Sequence, residues 1–207
     1  MLRNLFQRLL PNRKVVYGDQ FFKDDWFSEW EKLKVLLHQL VNEIKPNHHI
    51  LDFGCGPGVM IDYMTDAGFC YTGCDYSPEA RQLYTSKYGK HPEHYIENLD
   101  KVKGLEFDLL LSFDVFEHMT DEQIDSILAE TGKIPCWFVN ISRDQRTPGH
   151  INIKNDRQWI VFFKKRGFVF DAILSKILRN RYKELRQGCP DRWHKNMFVF
   201  KRAEGAR

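Results

Sequence analysis

The sequence predicts an α/β fold, an open and mostly parallel sheet with helices on both faces. Three observations carry that prediction. Short apolar runs alternate with amphipathic stretches through most of the chain, the pattern of successive βαβ units. The run Ile50-Leu51-Asp52-Phe53-Gly54-Cys55-Gly56-Pro57-Gly58 reads as a buried strand passing into a glycine-rich turn and then a helix. Residues 107–113 are nearly all apolar, as a central strand covered on both faces must be.

Each element follows from local pattern. In residues 24–44, Phe27, Trp30, Leu33, Leu36, Leu37, Leu40, Val41 and Ile44 recur at helical intervals, and Pro46 stops the helix. A strand is expected at 49–53, a helix at 59–67 ended by Gly68, and a strand at 69–74. The next helix, 78–88, has Ser77 as its N-cap and Gly89 as its stop. A short strand at 94–97 and the apolar strand 107–113 follow, then a helix at 121–131 and a strand at 136–141. The pattern ends with a helix at 156–166, closed by Gly167, and strands at 168–174 and 197–201. No helix is evident between those two strands, which predicts an antiparallel, hairpin-like edge. The basic segment 176–194, with Gly188 and Pro190, reads as a loop or insertion.

Composition bounds the rest. The 207 residues, 43% of them hydrophobic, suit one domain with one sizeable core, and the net charge of +3 does not by itself imply a nucleic-acid partner. Five cysteines, an odd number with no C-x-x-C pair, fit a reducing, cytoplasmic setting. No apolar run reaches the ~18 residues that span a bilayer. Residues 1–10 are basic and amphipathic without a secretory signal pattern. They are expected to pack on the domain or fray, ahead of weak peripheral membrane contact. The division expected is a helical cap or lid over 1–47 and the main domain over 48–207.

The glycines follow G-x-G-x-G, whereas the dinucleotide fingerprint is G-x-G-x-x-G, which argues against NAD or FAD. Asp75 lies 17 positions after Gly58 at the end of the second strand, near where a ribose-binding carboxylate belongs. Tyr76 can cover an adenine face, and Asn98, ending the third strand, offers a donor and an acceptor to an adenine edge. One glycine would be an ordinary tight connection; three, with Asp75, indicate a ligand.

The runs ILDFGCGPG, TGCDYSPEA and FDLLLSFDVFEHM resemble the class I S-adenosylmethionine-dependent methyltransferases over residues 48–201. Within that family the chain is most similar to small-molecule O-methyltransferases with a Leu-Glu-His type motif, here Phe116-Glu117-His118. The resemblance implies a Rossmann-like seven-stranded sheet with a reversed final strand. It implies Gly54, Cys55 and Gly56 at the methionine end of the cofactor, Asp75 on the ribose, and Asn98 with Leu99 at adenine. Asp52, Phe113 and the lid candidate Tyr17 complete the expected cofactor set. Many relatives carry Asp where Asn98 stands; the Asn carbonyl can still accept from an adenine amino group.

On the acceptor side, Asp114, Glu117 and His118 follow the fourth strand, and a helical turn there would put all three on one face. His150, in the loop Thr147-Pro148-Gly149-His150, belongs at the same rim. These four could hold a divalent metal (Mg²⁺, Mn²⁺ or Zn²⁺), or a histidine could take the proton of an attacking hydroxyl, with Glu117 supporting it. A purely structural role is the third reading. The ubiquinone-biosynthesis O-methyltransferases and the enzymes that 2′-O-methylate small-RNA ends have an acidic-x-x-Glu-His motif with a later histidine, similar to these residues. That resemblance makes Asp114, Glu117, His118 and His150 candidate metal ligands.

Among the aromatics before the first strand, Tyr17, Phe21, Phe22, Trp26, Phe27 and Trp30, some are expected to lid the site and Phe27 and Trp30 to pack in the core. Trp159, Phe162 and Phe163 are expected in the core. Lys176, Arg179, Arg181, Lys183 and Arg186 lack clustered stacking aromatics, so they read as a solvated face and no nucleic-acid partner is expected. The expected activity is methyl transfer to a small-molecule or sugar hydroxyl. RNA 2′-O-methylation and non-catalytic cofactor binding are the alternatives.

Overall fold

The computed structural model describes residues 26–46, 49–102, 104–186, 189 and 192–205. Tyr17, Phe21, Phe22 and the amphipathic segment 1–10 lie outside the described residues.

Helix α1 (Trp26–Ile44) leads into strand β1 (His49–Phe53), helix α2 (Val59–Asp66), strand β2 (Cys70–Cys74) and helix α3 (Pro78–Lys87). Strands β3 (Tyr95–Ile96) and β4 (Leu109–Phe113), helix α4 (Asp121–Thr131) and strand β5 (Cys136–Asn140) follow. Helix α5 (Asp156–Lys164), strand β6 (Phe168–Phe170), helix α6 (Ala172–Leu185) and strand β7 (Met197–Arg202) complete the described chain. The helix starts obey their local chemistry. Ser77 Oγ accepts from the Ala80 N–H, and Thr120 with Gln123 and Asn155 with Gln158 form reciprocal capping boxes.

The seven strands line up as β3-β2-β1-β4-β5-β7-β6. The β1–β2, β1–β4, β2–β3 and β4–β5 pairs are parallel, and β7 runs antiparallel to both β5 and β6. This is the expected Rossmann-like sheet with a reversed last strand. Strand order reverses between β1 and β4, so their carboxyl ends open on one crevice, where open α/β sheets bind ligands.

The pleat sends alternate residues to opposite faces, and the core divides accordingly. Leu51, Leu110, Trp137 and Phe200 point to the face covered by Ile124 and Ile127 of α4 and Phe163 of α5. Ile50, Leu109, Leu111, Phe138 and Val199 point to the face covered by Leu36, Leu40 and Val41 of α1, Met60 of α2 and Leu178 of α6. Every residue of β4 is buried, which explains its unbroken apolar run.

One expectation is overturned. Residues 171–174 are not strand, and 176–194 are not simply a loop, because 172–185 form α6. Asp171 starts this helix by accepting from the Leu174 N–H at 2.8 Å. Leu178 and Tyr182 sink into the core, and Ser175 Oγ accepts from the β7 backbone at Val199 N, 2.8 Å. A narrow apolar stripe interleaved with lysines and arginines disguises this helix in the sequence. The antiparallel β6–β7 edge is as expected, but a helix rather than a turn joins its strands. Among the described residues no helix is long and apolar enough to cross a membrane.

Phe163 is fully buried and stacks on Phe200 with ring centroids 4.4 Å apart. Phe163→Ala should therefore cost about 3–5 kcal/mol of stability, seen as a lowered urea midpoint with an unchanged m-value.

Candidate functional site

The crevice is lined first by the turn after β1. Gly54 and Gly56 have φ of 79° and 54°, left-handed values that favour glycine. A side chain at Gly54 would run into Val115, whereas one at Gly56 would meet nothing within 4 Å among the described residues. Gly54 thus permits packing, and Gly56 faces open space. The Gly54 and Cys55 N–H groups both donate to the Cys74 carbonyl, at 2.8 and 3.2 Å, tying the turn to the end of β2.

Asp75 closes the turn from the other side. Gly56 N donates to Asp75 Oδ2 and Ser77 N to Asp75 Oδ1, each at 2.8 Å. Burial pushes its pKa up, and these two N–H groups oppose the rise. Each carboxylate oxygen keeps a lone pair for a ligand hydroxyl. Tyr95 fixes the opposite edge of the turn by donating its hydroxyl to the Gly56 carbonyl at 3.0 Å.

The remaining cofactor candidates divide by environment. Asn98 Oδ1 is buried with no hydrogen-bond partner among the described residues, the condition of an acceptor awaiting a donor such as an adenine amino group. Leu99 is buried beside it in sequence, and Tyr76 is partly exposed with its ring edge-on to Phe53. Phe113 packs edge-on against Phe138 and lies 5.7 Å from the Trp193 ring, so it is a core residue at the end of β4. Asp52 is buried and accepts the Tyr71 hydroxyl at 2.7 Å. Burial, with help from Asp75 and against that hydrogen bond, pushes Asp52 up to about 7. Burial first, then Asp52 and Asp75, push the Cys55 thiol up as well, so it is a neutral side chain rather than a nucleophile. The open turn, the Asp75 acceptor and the Asn98 carbonyl fit an adenosyl cofactor.

The rim after β4 differs from the expected helical turn. Asp114 is left-handed, with φ 54°, and the chain then makes a 3₁₀ turn over Phe116–His118. Asp114, Glu117 and His118 therefore do not share one helical face. The Trp193 side chain donates to the Asp114 carboxyl; burial raises this group to about 7, and Arg192 and Trp193 oppose the rise. Glu117 is fully buried. Its Oε1 accepts from Ser142 N at 2.8 Å, while Oε2 finds no hydrogen-bond partner among the described residues. Burial, then the Asp114 charge, hold the Glu117 pKa well above the usual range. Its carbonyl accepts from Ile151 N and Asn152 N, both at 2.9 Å, which clips the turn to the loop bearing His150.

The two imidazoles meet edge to face, with centroids 4.6 Å apart. His118 Nδ1 lies 3.0 Å from the Gly149 carbonyl and His150 Nδ1 2.7 Å from the Asp144 carbonyl. A carbonyl only accepts, so each Nδ1 carries the proton and each neutral ring keeps its lone pair on Nε2. Burial, then His150, push His118 down to about 4, and burial also pushes His150 down, so both rings are neutral at pH 7. One donor atom from each of Glu117, His118 and His150 lies within 4.8 Å of the others, a set that excludes Asp114. Three such donors suit a cation with an open coordination position, and an Nε2 lone pair suits a base.

Several supporting groups escaped the sequence reading. Ser142, Asp144 and Gly149 act through backbone atoms, which no side-chain pattern reveals, and Tyr95 sits in a two-residue strand without a motif.

Asp52 gives a signed pH test. Its folded pKa, about 7, exceeds the ordinary 3.8, so the folded state holds the proton longer and stability from this group falls as pH rises between those values. Asp52→Asn should remove that decline. The melting midpoint of the variant relative to the native chain should climb from pH 4 to 7 and level off above about 7.

A family model described as a methyltransferase domain matches residues 27–173. The ubiquinone biosynthesis O-methyltransferase of Bartonella bacilliformis is 28% identical over 90 residues, which cover 41% of this chain and 36% of that protein. The matched segment therefore spans about a third of that relative. The magnesium protoporphyrin IX methyltransferase of Synechocystis PCC 6803, solved with bound SAH, is similar in fold, with a TM-score of 0.54 at 15% identity over 81% of this chain and 84% of that one. The small RNA methyltransferase HEN1 has a TM-score of 0.56 at 13% identity over 85% of this chain and 26% of that one. A family match across more than half of the chain, on a sheet of this topology, makes the protein a member of the class I S-adenosylmethionine-dependent methyltransferases.

Proposed function

We propose that the chain transfers the methyl group of S-adenosylmethionine to a hydroxyl of a small acceptor, a sugar or other glycan intermediate being the class favoured. The observation that carries the reading is the neutral His118–His150 pair beside the buried Glu117, at the rim of the cofactor crevice. Asp75 holds the ribose hydroxyls, the Gly54–Gly56 backbone receives the methionine end, and Asn98 Oδ1 accepts from the adenine amino group.

S-adenosylmethionine held by these residues would supply an electrophilic methyl group, which would pass to the acceptor oxygen as the O–C bond forms and the C–S bond breaks, leaving the thioether S-adenosylhomocysteine. An alcohol is almost fully protonated at neutral pH, so the step gains from a base, and His150 Nε2 takes the proton. His118, Glu117 and the Asp144 carbonyl position that ring. The name of the Bartonella relative, an O-methyltransferase, supports the same acceptor chemistry. Glu117, His118 and His150 would also hold a divalent cation, with zinc or manganese suited to a mixed nitrogen and oxygen set. Such an ion would supply Lewis acidity that lowers the hydroxyl pKa.

RNA as acceptor has less support. Arg179 turns its Nε to the Met197 carbonyl, and Arg181 lies against Glu43 and Glu184. Two of the basic residues of α6 are thus engaged within the protein, Arg181 with carboxylates.

Two outcomes test the reading. Asp75→Ala should abolish calorimetric binding of S-adenosylmethionine while far-ultraviolet circular dichroism stays native; retained affinity would refute the cofactor placement. His150→Ala should keep cofactor affinity but lose about 10²–10⁴-fold in turnover on a hydroxyl acceptor. EDTA resolves the role of the cluster: loss of turnover restored by Mn²⁺ or Zn²⁺ indicates a metal, and insensitivity indicates a base.

A further inference from the structure

We propose a second cation site, suited to Zn²⁺, formed by His91, Glu93 and His94 on the 3₁₀ turn that precedes β3 and sharing no residue with the rim cluster. One donor atom from each of these three residues lies within 4.8 Å of the others. Glu93 Oε1 is 3.7 Å from both His91 Nδ1 and His94 Nε2. Two ligands bound to zinc at ~2.0 Å with tetrahedral angles stand about 3.3 Å apart. The contacts to Glu93 therefore need to tighten by only a few tenths of an ångström. Glu93 is well exposed and His94 partly so, which leaves both side chains room to move.

A neighbouring carboxylate orients the first ligand. His91 Nε2 lies 3.0 Å from Asp66 Oδ1. The carboxylate accepts there, which places a proton on Nε2 and turns Nδ1 toward Glu93 as the atom able to take a metal. A carboxylate behind an imidazole in this way is the supporting arrangement of metal-binding histidines. The backbone is held as firmly. His91 N and Lys90 N donate to the two oxygens of Asp62, each at 3.1 Å, and the Tyr84 hydroxyl reaches the His91 carbonyl at 2.9 Å.

The chemistry selects the ion. Two imidazoles and a carboxylate favour zinc over magnesium or calcium, which take oxygen ligands. Three carboxylates, Asp62, Asp66 and Glu93, contact this turn, and one ammonium, Lys90, pairs with Asp66, so the nearby charges favour a cation. Water fills the remaining position of a three-ligand site. The site also has a connection to the cofactor crevice, because the next residue, Tyr95, stacks on Tyr84 and holds the Gly56 carbonyl. Zinc there fastens the turn that leads into this support.

Zinc chloride titrated into the chelator-treated full-length chain tests the proposal. The background is H118Q/H150Q, which silences the rim cluster. One equivalent of zinc should bind, and adding H91Q/H94Q should weaken that binding at least ~10-fold. Asp66→Ala should weaken it by about the same factor without removing a ligand. Equal binding with and without H91Q/H94Q would mean adventitious zinc only and would overturn the site. If the background variant fails to fold, the native chain serves through imidazole ¹⁵N NMR. His91 Nδ1 and His94 Nε2 should shift on zinc addition, and unmoved resonances would overturn the proposal. No readout for zinc depends on turnover, so failure of this site and failure of the proposed reaction are separable.

Discussion

Two backbone N–H groups, from Gly56 and Ser77, converge on the carboxylate of Asp75, and the crevice is built around that clamp. It joins the turn after β1 to the start of α3 and holds a charge that burial alone would discourage. The left-handed Gly56 is what brings its N–H within reach. The carbonyl of the same residue is caught by Tyr95, so one glycine is fixed on both sides while its missing side chain leaves the crevice open. A rigid turn with an open face is what a cofactor needs if it is to bind without reorganising the protein.

A second constraint governs the rim. Asp114 and Glu117 are carboxyl groups taken out of water, and each is pushed upward in pKa as a result. The two imidazoles opposite them are pushed down, for the same reason with opposite sign. Burial thus lowers the charge that the cluster carries near pH 7 below what its residue types would give in water. Its polarity is stored in oriented lone pairs, and backbone carbonyls at Asp144 and Gly149 set that orientation. Glu117 is the mechanical centre, with its carboxyl on Ser142 and its carbonyl on the His150 loop.

What was legible in the sequence follows from how local each cause is. Ser77 and Gly89 mark the ends of α3, and the apolar run of β4 announces a doubly covered strand, because propensity and burial act there through adjacent residues. Helix α6 was hidden because Asp171, its cap, sits at the end of an apolar stretch that reads equally well as strand, and because lysines and arginines interrupt its stripe. The candidate residues were visible as types: Gly56 and Asp75 meet after β1 and β2, and Glu117, His118 and His150 gather after β4 and β5. Their geometry was not, since the left-handed Asp114 and the 3₁₀ turn after it depend on contacts with Asn140 and Trp193, distant in sequence.

Strand β7 lies between β5 and β6, although both precede it in the chain. Synthesis runs from the N-terminus, so β5 presents an unpaired edge, and β6 has no sheet to join, until residues 197–202 emerge. An open edge bordered by aromatic residues such as Trp137, Phe138 and Phe168 is a template for pairing with other chains. The last strand thus behaves as a wedge that seals the sheet. The interval before it arrives is when this chain has most to gain from a chaperone.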